Sequence, residues 1–301
     1  MNSLNSLEKA PKYLFTVDNG NTNPNVGCFP GAKNISDLKL QSLPEWREQW
    51  GGASQQSTEF DFRIMVSNVG GDINWIDQLF PGKRLDLLSY KKEKNFLGMP
   101  FNYASTIGDD RLFESYYLYR NRNCDKRDDG RMLLIDMGTF TTIDVISSTH
   151  GIEGGYIFPG PRIFLESYRA GAQLPLLTLP DDDGAWRLQR LKEQQQKDYW
   201  PHTTAEAITG AYLYYERAII KLLLQDLLQR DQSGGAECNE IHITGGGGAA
   251  FLPLLKQEML QLQLQGQVAA QKLYYHKHLI HHALLQIYND INDINNINDI
   301  A

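Results

Sequence analysis

The stretch that decides the fold is Tyr13-Leu-Phe-Thr-Val-Asp-Asn-Gly-Asn-Thr22. Its apolar run ends at Asp18, and turn residues follow at once. An apolar run bounded in this way predicts a buried strand that enters a tight hairpin. Gly20 allows the backbone to approach a ligand, and Asn21 and Thr22 offer hydrogen-bond donors to phosphate oxygens. Asp18 stands at the strand end, where its carboxylate can hold a hydrated Mg²⁺ ion.

The same pattern returns in the second half of the chain, in Leu133-Leu-Ile-Asp-Met-Gly-Thr-Phe-Thr-Thr-Ile-Asp144. There Asp136 ends an apolar run, and Gly138 and Thr139 complete the turn. Asp136 and Asp18 are separated by about one ordinary domain length. Two related halves, each with a strand that ends in Asp-x-Gly-Asn/Thr, predict one nucleotide held in a cleft between them.

The composition bounds the class of protein. The chain has 301 residues, of which 42% are hydrophobic, enough for roughly two packed domains. A formal net charge of −7 without a basic stripe argues against sequence-independent binding to nucleic acid. No apolar run approaches the ~20 residues of a membrane span, and the polar start lacks a signal-peptide core. Because Cys28, Cys124 and Cys238 form no disulfide framework, we expect a reduced, cytoplasmic protein that binds neither nucleic acid nor membrane.

The predicted domain boundaries follow the two Asp-ending strands. We expect an N-terminal domain over residues 1–130 and a C-terminal domain over residues 131–288. Residues 289–301 are a low-complexity Asn/Asp/Ile repeat, which we expect to be a disordered end that can be deleted without loss of activity or stability. The glycine-rich segment 153–160 is expected to form a tight turn.

The segment Gly108-Asp-Asp-Arg111 lies between the two halves and is a candidate for acid–base chemistry. Phosphoryl transfer to an alcohol needs a carboxylate that takes the hydroxyl proton and cations that offset the phosphate charge. Gly108 allows a sharp turn, Asp110 can serve as the base, and Arg111 can orient that base or the acceptor. The alternative is a helix start in which Asp109 or Asp110 caps the following helix.

Two further segments each admit a structural and a functional interpretation. The four glycines of Gly245–Gly248 follow a predicted strand, so they can approach an adenosine or ribose, or serve only as a turn. We favour the first interpretation. The segment Thr203-Thr-Ala-Glu206 is a capping box for a long helix, and Thr203 also remains a candidate ligand contact because capping and binding are compatible.

One segment is crowded with histidines, at positions His276, His278, His281 and His282. His278 and His282 have the i, i+4 spacing of a metal-binding pair. However, no acidic third ligand is placed as in known helical metal motifs. Packed or surface histidines are the more common finding, and we therefore reject a metal site in this segment.

Taken in order, these motifs resemble those of type III pantothenate kinase. The ordered set is Asp18–Thr22, Gly108–Arg111, Asp136–Thr139 with Asp144, Gly154–Gly160 and Thr244–Gly246. The resemblance runs from about residue 13 to residue 285. It implies the α/β fold of the acetate and sugar kinase/Hsp70/actin superfamily, in which two ribonuclease-H-like domains flank a nucleotide cleft. It also implies ATP-dependent phosphorylation of pantothenate to 4'-phosphopantothenate, the first step of coenzyme A biosynthesis.

The resemblance implies roles for individual residues. The ATP-binding loop would comprise Asp18, Asn19, Gly20, Asn21, Thr22, Asn23, Pro24 and Asn25, with Asp18 near Mg²⁺ through water. Asp110 would be the catalytic base, and the pantothenate contacts would be Tyr103, Gly108, Asp109, Asp110, Arg111 and Thr203, with Thr204 as the alternative to Thr203. Thr139 would contact ATP, and Asp136 would coordinate a monovalent cation such as K⁺ or NH₄⁺. The segment Gly154–Gly160 would lie at the interface of a homodimer.

Two other functions compete with this one. The chain could be a non-catalytic relative linked to transcriptional control, or a kinase of another small alcohol such as a sugar. The presence of Asp18, Asp110 and Asp136 together favours the enzyme, because a protein that only binds has no need of all three. A fold alone does not decide the substrate, so an activity assay has to separate these functions.

Overall fold

The computed structural model describes residues 11–20, 23–51, 61–104, 106–122, 130–171, 174–178, 189–190, 192–193, 200–232, 238–264 and 272–298. These residues form two compact units. The first unit contains the described residues up to 122, together with 150–152 and those from 278 onward. The second unit contains the described residues of 123–149 and 153–277. The first unit is therefore assembled from separate parts of the chain.

Both units contain strands and helices. The strands are β1 (Tyr13–Asn19), β2 (Asn25–Pro30), β3 (Lys39–Ser42), β4 (Phe62–Asn68), β5 (Lys91–Lys92), β6 (Asn95–Phe96), β7 (Met99–Pro100), β8 (Arg131–Met137), β9 (Phe140–Ser147), β10 (Gly151–Pro159), β11 (Cys238–Thr244) and β12 (Lys272–Tyr275). The α-helices are α1 (Leu43–Gly51), α2 (Asn74–Leu79), α3 (Asp109–Asn121), α4 (Pro161–Glu166), α5 (Thr204–Gln232), α6 (Gly248–Leu264) and α7 (Leu279–Asn298). Short 3₁₀ helices cover Ile35–Asp37, Leu87–Tyr90 and Ser167–Ala170.

The main sheet of the first unit has the strand order β3-β2-β1-β4. β1 pairs antiparallel with β2 and parallel with β4, and β2 pairs antiparallel with β3. The hairpin predicted from residues 13–22 is present, since Asp18 faces Asn25 across the β1–β2 pair. Asn21 and Thr22, which were predicted to donate to phosphate, lie outside the described residues.

Helices cover both faces of this sheet. Successive side chains of a strand point to opposite faces, and β1 follows this rule. Leu14 packs in a core with residues of α3 and α7, whereas Phe15 packs with Trp46 of α1 and Ile76 of α2. A strand that is buried on both faces reads as a continuous apolar run, which explains why β1 could be predicted from sequence.

The last helix corrects the expectation for the Asn/Asp/Ile repeat. Residues 289–298 continue α7, so the prediction of a disordered end is wrong for them. Ile291 is 1% exposed in the core of the first unit. The buried carboxylate of Asp290 accepts hydrogen bonds from the Tyr116 hydroxyl at 2.6 Å and from the Arg120 guanidinium at 3.1 Å. The repeat folds because its apolar residues recur at helical spacing and its aspartate finds partners on α3.

The place of α7 also differs from the predicted domain boundaries. The prediction assigned residues 131–288 to the second domain, whereas α7 belongs to the first unit. The physical reason is apolar packing, since Ala283, Leu284 and Ile287 of α7 lie in the same core as Leu14 and residues of α3. Residues 299–301, the end of the predicted tail, lie outside the described part of the chain.

The main sheet of the second unit has the order β10-β9-β8-β11-β12. β8 pairs antiparallel with β9 and parallel with β11, and β11 pairs parallel with β12. A hairpin beside a parallel strand is the arrangement that β1, β2 and β4 form in the first unit. The predicted α/β fold class is confirmed, since both units combine helices with a sheet in which a hairpin lies beside a parallel strand. No helix in the described part of the chain is long and apolar enough to cross a membrane.

The glycine-rich segment 153–160 is a strand, and the prediction of a tight turn is wrong. β10 includes Gly154 and Gly155 and continues through Tyr156-Ile157-Phe158, whose β-branched and aromatic side chains favour a strand. Gly155 permits close strand packing, because a Cβ at this position would collide with the backbone of Ile143. Gly155 therefore serves close approach to β9.

Candidate functional site

The first candidate site lies at the carboxyl end of β1, in the first unit. Alternate residues of a strand share a face, so Asp18 and Thr16 lie on the side of the sheet where Leu14 packs with α3 and α7. Asn25 stands opposite Asp18 in the β1–β2 register. Its Nδ2 donates a hydrogen bond to Asp18 Oδ2 over 3.4 Å, and a second one to the carbonyl oxygen of Asn23 over 3.1 Å.

The helix α3 supplies the other carboxylates of this site. Gly108 occupies the N-cap position and makes no side-chain cap, so neither aspartate takes the capping role that was considered. Asp109 Oδ2 accepts a hydrogen bond from the backbone N–H of Asn68 over 3.3 Å, and Asp110 Oδ1 accepts one from the Arg111 N–H over 2.7 Å. Gly108 is suited to this place because a Cβ there would stand 2.6 Å from Asp110 Oδ1.

Asp18 and Asp110 influence each other's ionisation. Burial raises the pKa of Asp18 from 3.8 to about 6, and the negative charge of Asp110 adds to this rise, while the Asn25 hydrogen bond opposes it. Burial also raises the pKa of Asp110 above its ordinary value, although the N–H and the guanidinium charge of Arg111 lower it. Neighbouring carboxylates that are partly removed from water form a site that favours binding of a cation or a proton.

Arg111 connects the α3 carboxylates to Tyr103. The guanidinium of Arg111, whose residue is 5% exposed, lies 4.7 Å from the centre of the Tyr103 ring. Its Nη1 donates a hydrogen bond to the Tyr103 phenol oxygen over 3.0 Å. The phenol can still donate its own proton to another group. The structure thus brings together three of the predicted substrate contacts, Tyr103, Asp110 and Arg111.

The end of β4 contributes residues that the sequence reasoning missed. Asn19 Nδ2 donates to Asn68 Oδ1 over 2.7 Å, and the Val69 N–H donates to the Asn19 carbonyl oxygen over 3.3 Å. Gly70 packs against the predicted ATP-binding loop so closely that a Cβ would stand 2.5 Å from the Gly20 carbonyl oxygen. Parallel strands end at the same edge of a sheet. The pair Gly70-Gly71, which follows the apolar run of β4, was therefore the sequence feature that could have predicted this contact.

The second candidate site lies at the carboxyl end of β8, in the second unit. Asp136 faces Thr142 of β9 on one side and Thr244 of β11 on the other. Gly245 follows with a φ of 84°, in the left-handed region that favours glycine. A Cβ at Gly245 would collide with Asp136 Oδ1, so only glycine fits beside this carboxylate.

Two glycines hold the loop after Asp136. The Gly247 N–H donates to the Met137 carbonyl oxygen over 2.9 Å, and the Gly160 N–H donates to the Thr139 carbonyl oxygen over 3.1 Å. These bonds support the structural interpretation of the glycine turn between β11 and α6. A contact of that turn with an adenosine or ribose stays a prediction.

Thr203 is the cap of α5, as the capping box predicted. Its Oγ1 accepts a hydrogen bond from the Glu206 N–H over 3.2 Å, and the Glu206 carboxylate accepts one from the Thr203 N–H over 3.2 Å. The Thr203 side chain also hydrogen-bonds the Glu206 carboxylate, so the structure accounts for Thr203 as a cap. The choice between Thr203 and Thr204 as a substrate contact stays a prediction.

The crowded histidines separate into two environments. His276 Nε2 lies 2.9 Å from Nδ1 of His242 in the second unit, and burial lowers the pKa of both imidazoles to about 4. His281 is instead buried in the first unit, where it contacts Thr16 and Asn25 near the carboxyl end of β1. Their closeness in sequence thus does not reflect one shared site.

This geometry defines a class of protein. It is an α/β protein with two similar sheets, and each sheet has an aspartate at the end of its first strand. The family model for type III pantothenate kinase matches residues 14–225, well over half of the chain. The chain therefore belongs to the type III pantothenate kinase family, and the resemblance drawn from its motifs is confirmed.

Individual relatives are similar at modest identity. A type III pantothenate kinase from Desulforapulum autotrophicum is 26% identical over 175 residues, which cover 54% of this chain and 64% of that protein. One from Koribacter versatilis is 25% identical over 212 residues, covering 62% of this chain and 74% of the relative. One from Phenylobacterium zucineum is 43% identical over 124 residues, covering 41% and 40% of the two chains.

Similarity to solved structures is weaker. Acetate kinase from Entamoeba histolytica matches with a TM-score of 0.48 and 8% sequence identity, over 93% of this chain and 99% of that one. Nothing about the activity of this protein rests on that match.

The raised pKa of Asp18 predicts a stability cost at neutral pH. The folded-state pKa is about 6 and the ordinary value is 3.8, so ionisation favours the unfolded chain. The protonated Asp18 side chain stabilises the folded state relative to the ionised one. This contribution is fully present below about pH 4 and is lost as the pH rises through about 6. Without nucleotide or Mg²⁺, Asp18→Asn should therefore be more stable than wild type at pH 7.5, by up to roughly 3 kcal/mol, and the difference should be small near pH 4.

Urea unfolding at the two pH values measures this difference. Asp37→Asn is the matched control, because Asp37 is exposed in a short 3₁₀ helix. An Asp18→Asn protein that is less stable than wild type at pH 7.5 would show that the carboxylate stabilises the fold.

Proposed function

We propose that this protein transfers the γ-phosphoryl group of ATP to the terminal hydroxyl of pantothenate and forms 4'-phosphopantothenate, the first step of coenzyme A biosynthesis. The observation that carries the proposal is the position of Asp110. Its half-buried carboxylate lies near that of Asp18, and it stands on the helix that also bears Arg111. Membership of the type III pantothenate kinase family supports the choice of substrate.

Asp110 takes the proton of the attacking hydroxyl in this proposal. A carboxylate whose pKa is raised is a stronger base than an ordinary carboxylate, and burial raises the pKa of Asp110. The backbone N–H of Arg111 donates a hydrogen bond to Asp110 Oδ1, and the Arg111 guanidinium orients Tyr103 by donating a hydrogen bond to its hydroxyl oxygen. Tyr103, Gly108, Asp109 and Arg111 would surround pantothenate, with Thr203 as a further contact.

The loop from Asp18 to Asn25 would bind ATP through amide donors instead of cationic side chains. Positions 19–25 contain no lysine or arginine. The donor set fits a hydrated Mg²⁺, because an Asp carboxylate and nearby amide oxygens are the hard ligands this ion prefers. When bound, Mg²⁺ would neutralise part of the negative charge of the phosphates. Asp18 would hold its water shell, and Asn19 would be kept in place by Asn68.

Asp136 would hold a monovalent cation such as K⁺ or NH₄⁺. Its carboxylate ends β8 beside the glycine turn, where it lies against backbone at Gly245. Charge balance supports the assignment, because a triphosphate carries more negative charge than one Mg²⁺ offsets and the loop 19–25 supplies no cation. We propose that Thr139, three residues after Asp136, contacts ATP.

Activity is therefore expected to depend on K⁺. Initial rates with Mg·ATP and pantothenate should be low in Tris or Na⁺ buffer and rise when K⁺ or NH₄⁺ is added. Asp136→Ala should lose this activation together with most of the turnover, because the carboxylate that binds the cation is gone. A K⁺ titration of wild type and variant measures the effect. A flat response of the wild-type rate would remove the monovalent site, and Arg111 would then be the remaining source of positive charge.

A homodimer is the proposed assembly. Exposed apolar side chains support it, since Tyr156 and Ile157 of β10 and Tyr214 and Leu222 of α5 are about half or more exposed. Surfaces of this kind are often covered by a partner. The segment Gly154–Gly160 would lie at the interface, and multi-angle light scattering gives the mass that decides between monomer and dimer.

A coupled assay tests the proposed reaction. ADP release is followed with pantothenate and with a panel of sugars, and mass spectrometry identifies the phosphorylated product. Transfer to pantothenate alone supports the proposal. Transfer to a sugar would identify a sugar kinase, and nucleotide binding without transfer to any acceptor would identify a non-catalytic relative.

A further inference from the structure

Four residues form a square across the β1–β2 hairpin. Asp18 faces Asn25 and Thr16 faces Gly27 in the register of the two strands. Since residues two apart on a strand share a face, all four lie on the side of the sheet that α7 covers. His281 of α7, which is 1% exposed, lies over this square.

Gly27 is the residue that admits the imidazole. A Cβ at position 27 would stand 2.8 Å from His281 Nδ1 and 2.5 Å from Thr16 Oγ1. Only glycine leaves this space, and the ring fills it. His281 Nδ1 lies 2.7 Å from Thr16 Oγ1, and its Nε2 is in hydrogen-bond contact with Asn25 Oδ1.

The two hydrogen bonds that Asn25 Nδ2 donates, to Asp18 and to the Asn23 carbonyl oxygen, favour one order of donors and acceptors in this group. The Asn25 carboxamide must direct its N–H to the Asp18 carboxylate, which is an acceptor when ionised, so its oxygen faces His281. The His281 Nε2 must then carry the proton. Burial lowers the pKa of His281 to about 3, although a hydrogen bond with the Thr16 backbone opposes this shift, so the ring is neutral. With the single proton on Nε2, Nδ1 accepts from the Thr16 hydroxyl. The 2.7 Å contact is shorter than the alternative bond of Thr16 to the Gly27 carbonyl at 3.4 Å.

We propose that His281 is a positioning residue for the nucleotide-binding loop: its Nε2–H holds the Asn25 carboxamide in the orientation that presents an N–H group to Asp18. The inference rests on the proposed function, in which Asp18 and Asn25 belong to the loop that binds the Mg·nucleotide. Its consequence is preorganisation. The direction of the Asp18 carboxylate is set before the ligand arrives, so binding need not order it.

The tautomer of His281 tests the orientation without any ligand or variant. Long-range ¹⁵N–¹³C correlation spectra of histidine-labelled protein distinguish a neutral ring protonated at Nε2 from one protonated at Nδ1. The Nε2–H form is expected for His281 at pH 7.5. The Nδ1–H form would overturn the proposal, because Asn25 would then have to turn its N–H towards His281 and its oxygen towards Asp18.

A matched pair of variants tests the positioning role. The side-chain amide of Gln can place a donor near the Nε2 position of His281, whereas that of Asn reaches only the Nδ1 position. His281→Gln should keep the dissociation constant for the Mg²⁺ complex of a non-hydrolysable ATP analogue within about threefold of wild type. His281→Asn should weaken binding by about tenfold, the loss of roughly one hydrogen bond to a charged network. Calorimetry measures binding, and urea unfolding confirms that both variants fold.

The outcomes separate this inference from the proposed reaction. Wild-type affinity in His281→Asn, or equal weakening in both variants, would overturn the positioning role, because the position of the donor would then not matter. A wild-type protein that binds the Mg·nucleotide but does not phosphorylate pantothenate would overturn the proposed substrate and leave the His281 comparison valid.

Discussion

Asp110→Asn is expected to fold and to bind ATP, but to lose phosphoryl transfer to pantothenate by about 10²–10⁴-fold, the usual effect of removing a general base. The asparagine keeps the shape of the side chain and can still accept the Arg111 N–H, which the wild-type carboxylate accepts over 2.7 Å. It cannot take a proton from the attacking hydroxyl. Nucleotide affinity should change little or improve, because one negative charge beside Asp18 is removed.

Asp109→Asn is the matched control for this prediction. Asp109 is the neighbouring carboxylate in the first turn of α3, and its Oδ2 accepts the Asn68 N–H, a bond that asparagine can retain through its oxygen. Single-turnover rates with Mg·ATP and pantothenate compare the two variants, and calorimetry compares their nucleotide binding. Near-normal turnover of Asp110→Asn with an inactive Asp109→Asn would assign the base to Asp109.

A chain that ends at Tyr288 is expected to be much less stable than the full chain. The truncation removes the buried side chain of Ile291 and the carboxylate of Asp290, and so leaves the Tyr116 hydroxyl and the Arg120 guanidinium without this partner. A chain that ends at Asn298 keeps all of α7 and serves as the control. Urea unfolding of the two truncated proteins gives the difference.

Two isoleucines of the repeat make this prediction sharper. Ile291 is 1% exposed and Ile294 is 41% exposed, although both lie on α7 in the same kind of sequence. Ile291→Ala should lower the free energy of unfolding by about 2–5 kcal/mol, because it leaves a cavity in the core. Ile294→Ala should cost less than about 1 kcal/mol. Equal effects of the two substitutions would show that the repeat does not pack as described.

Much of the fold could be predicted because the central strands are buried on both faces. The runs before Asp18 and Asp136 are mostly apolar, and both form strands that end one position beyond the aspartate. The helix start after Gly108 was open to two interpretations. The structure places a glycine at its cap, which leaves both aspartates in the first turn.

Other features could not be predicted because long-range contacts decide them. The Asn/Asp/Ile repeat has the composition of a disordered segment, and its Ile291 gains a core, together with Ile287 one turn earlier, only against α3 and the first sheet. His281 was grouped with its sequence neighbours for the same reason. Its partners Thr16 and Asn25 are more than 250 positions away in the chain, and no local pattern connects them.

The discontinuous first unit has a consequence for how the protein is made. Its sheet is synthesised early, but the helix that covers one face, bears His281 and supplies Asp290 comes from residues 279–298. Domains generally fold during synthesis in the order in which they leave the ribosome. Here the second unit can be complete while β1, β2 and β4 still expose the face that α7 will bury. The nascent chain therefore carries a first unit whose sheet keeps one apolar face exposed until residues 279–298 have emerged.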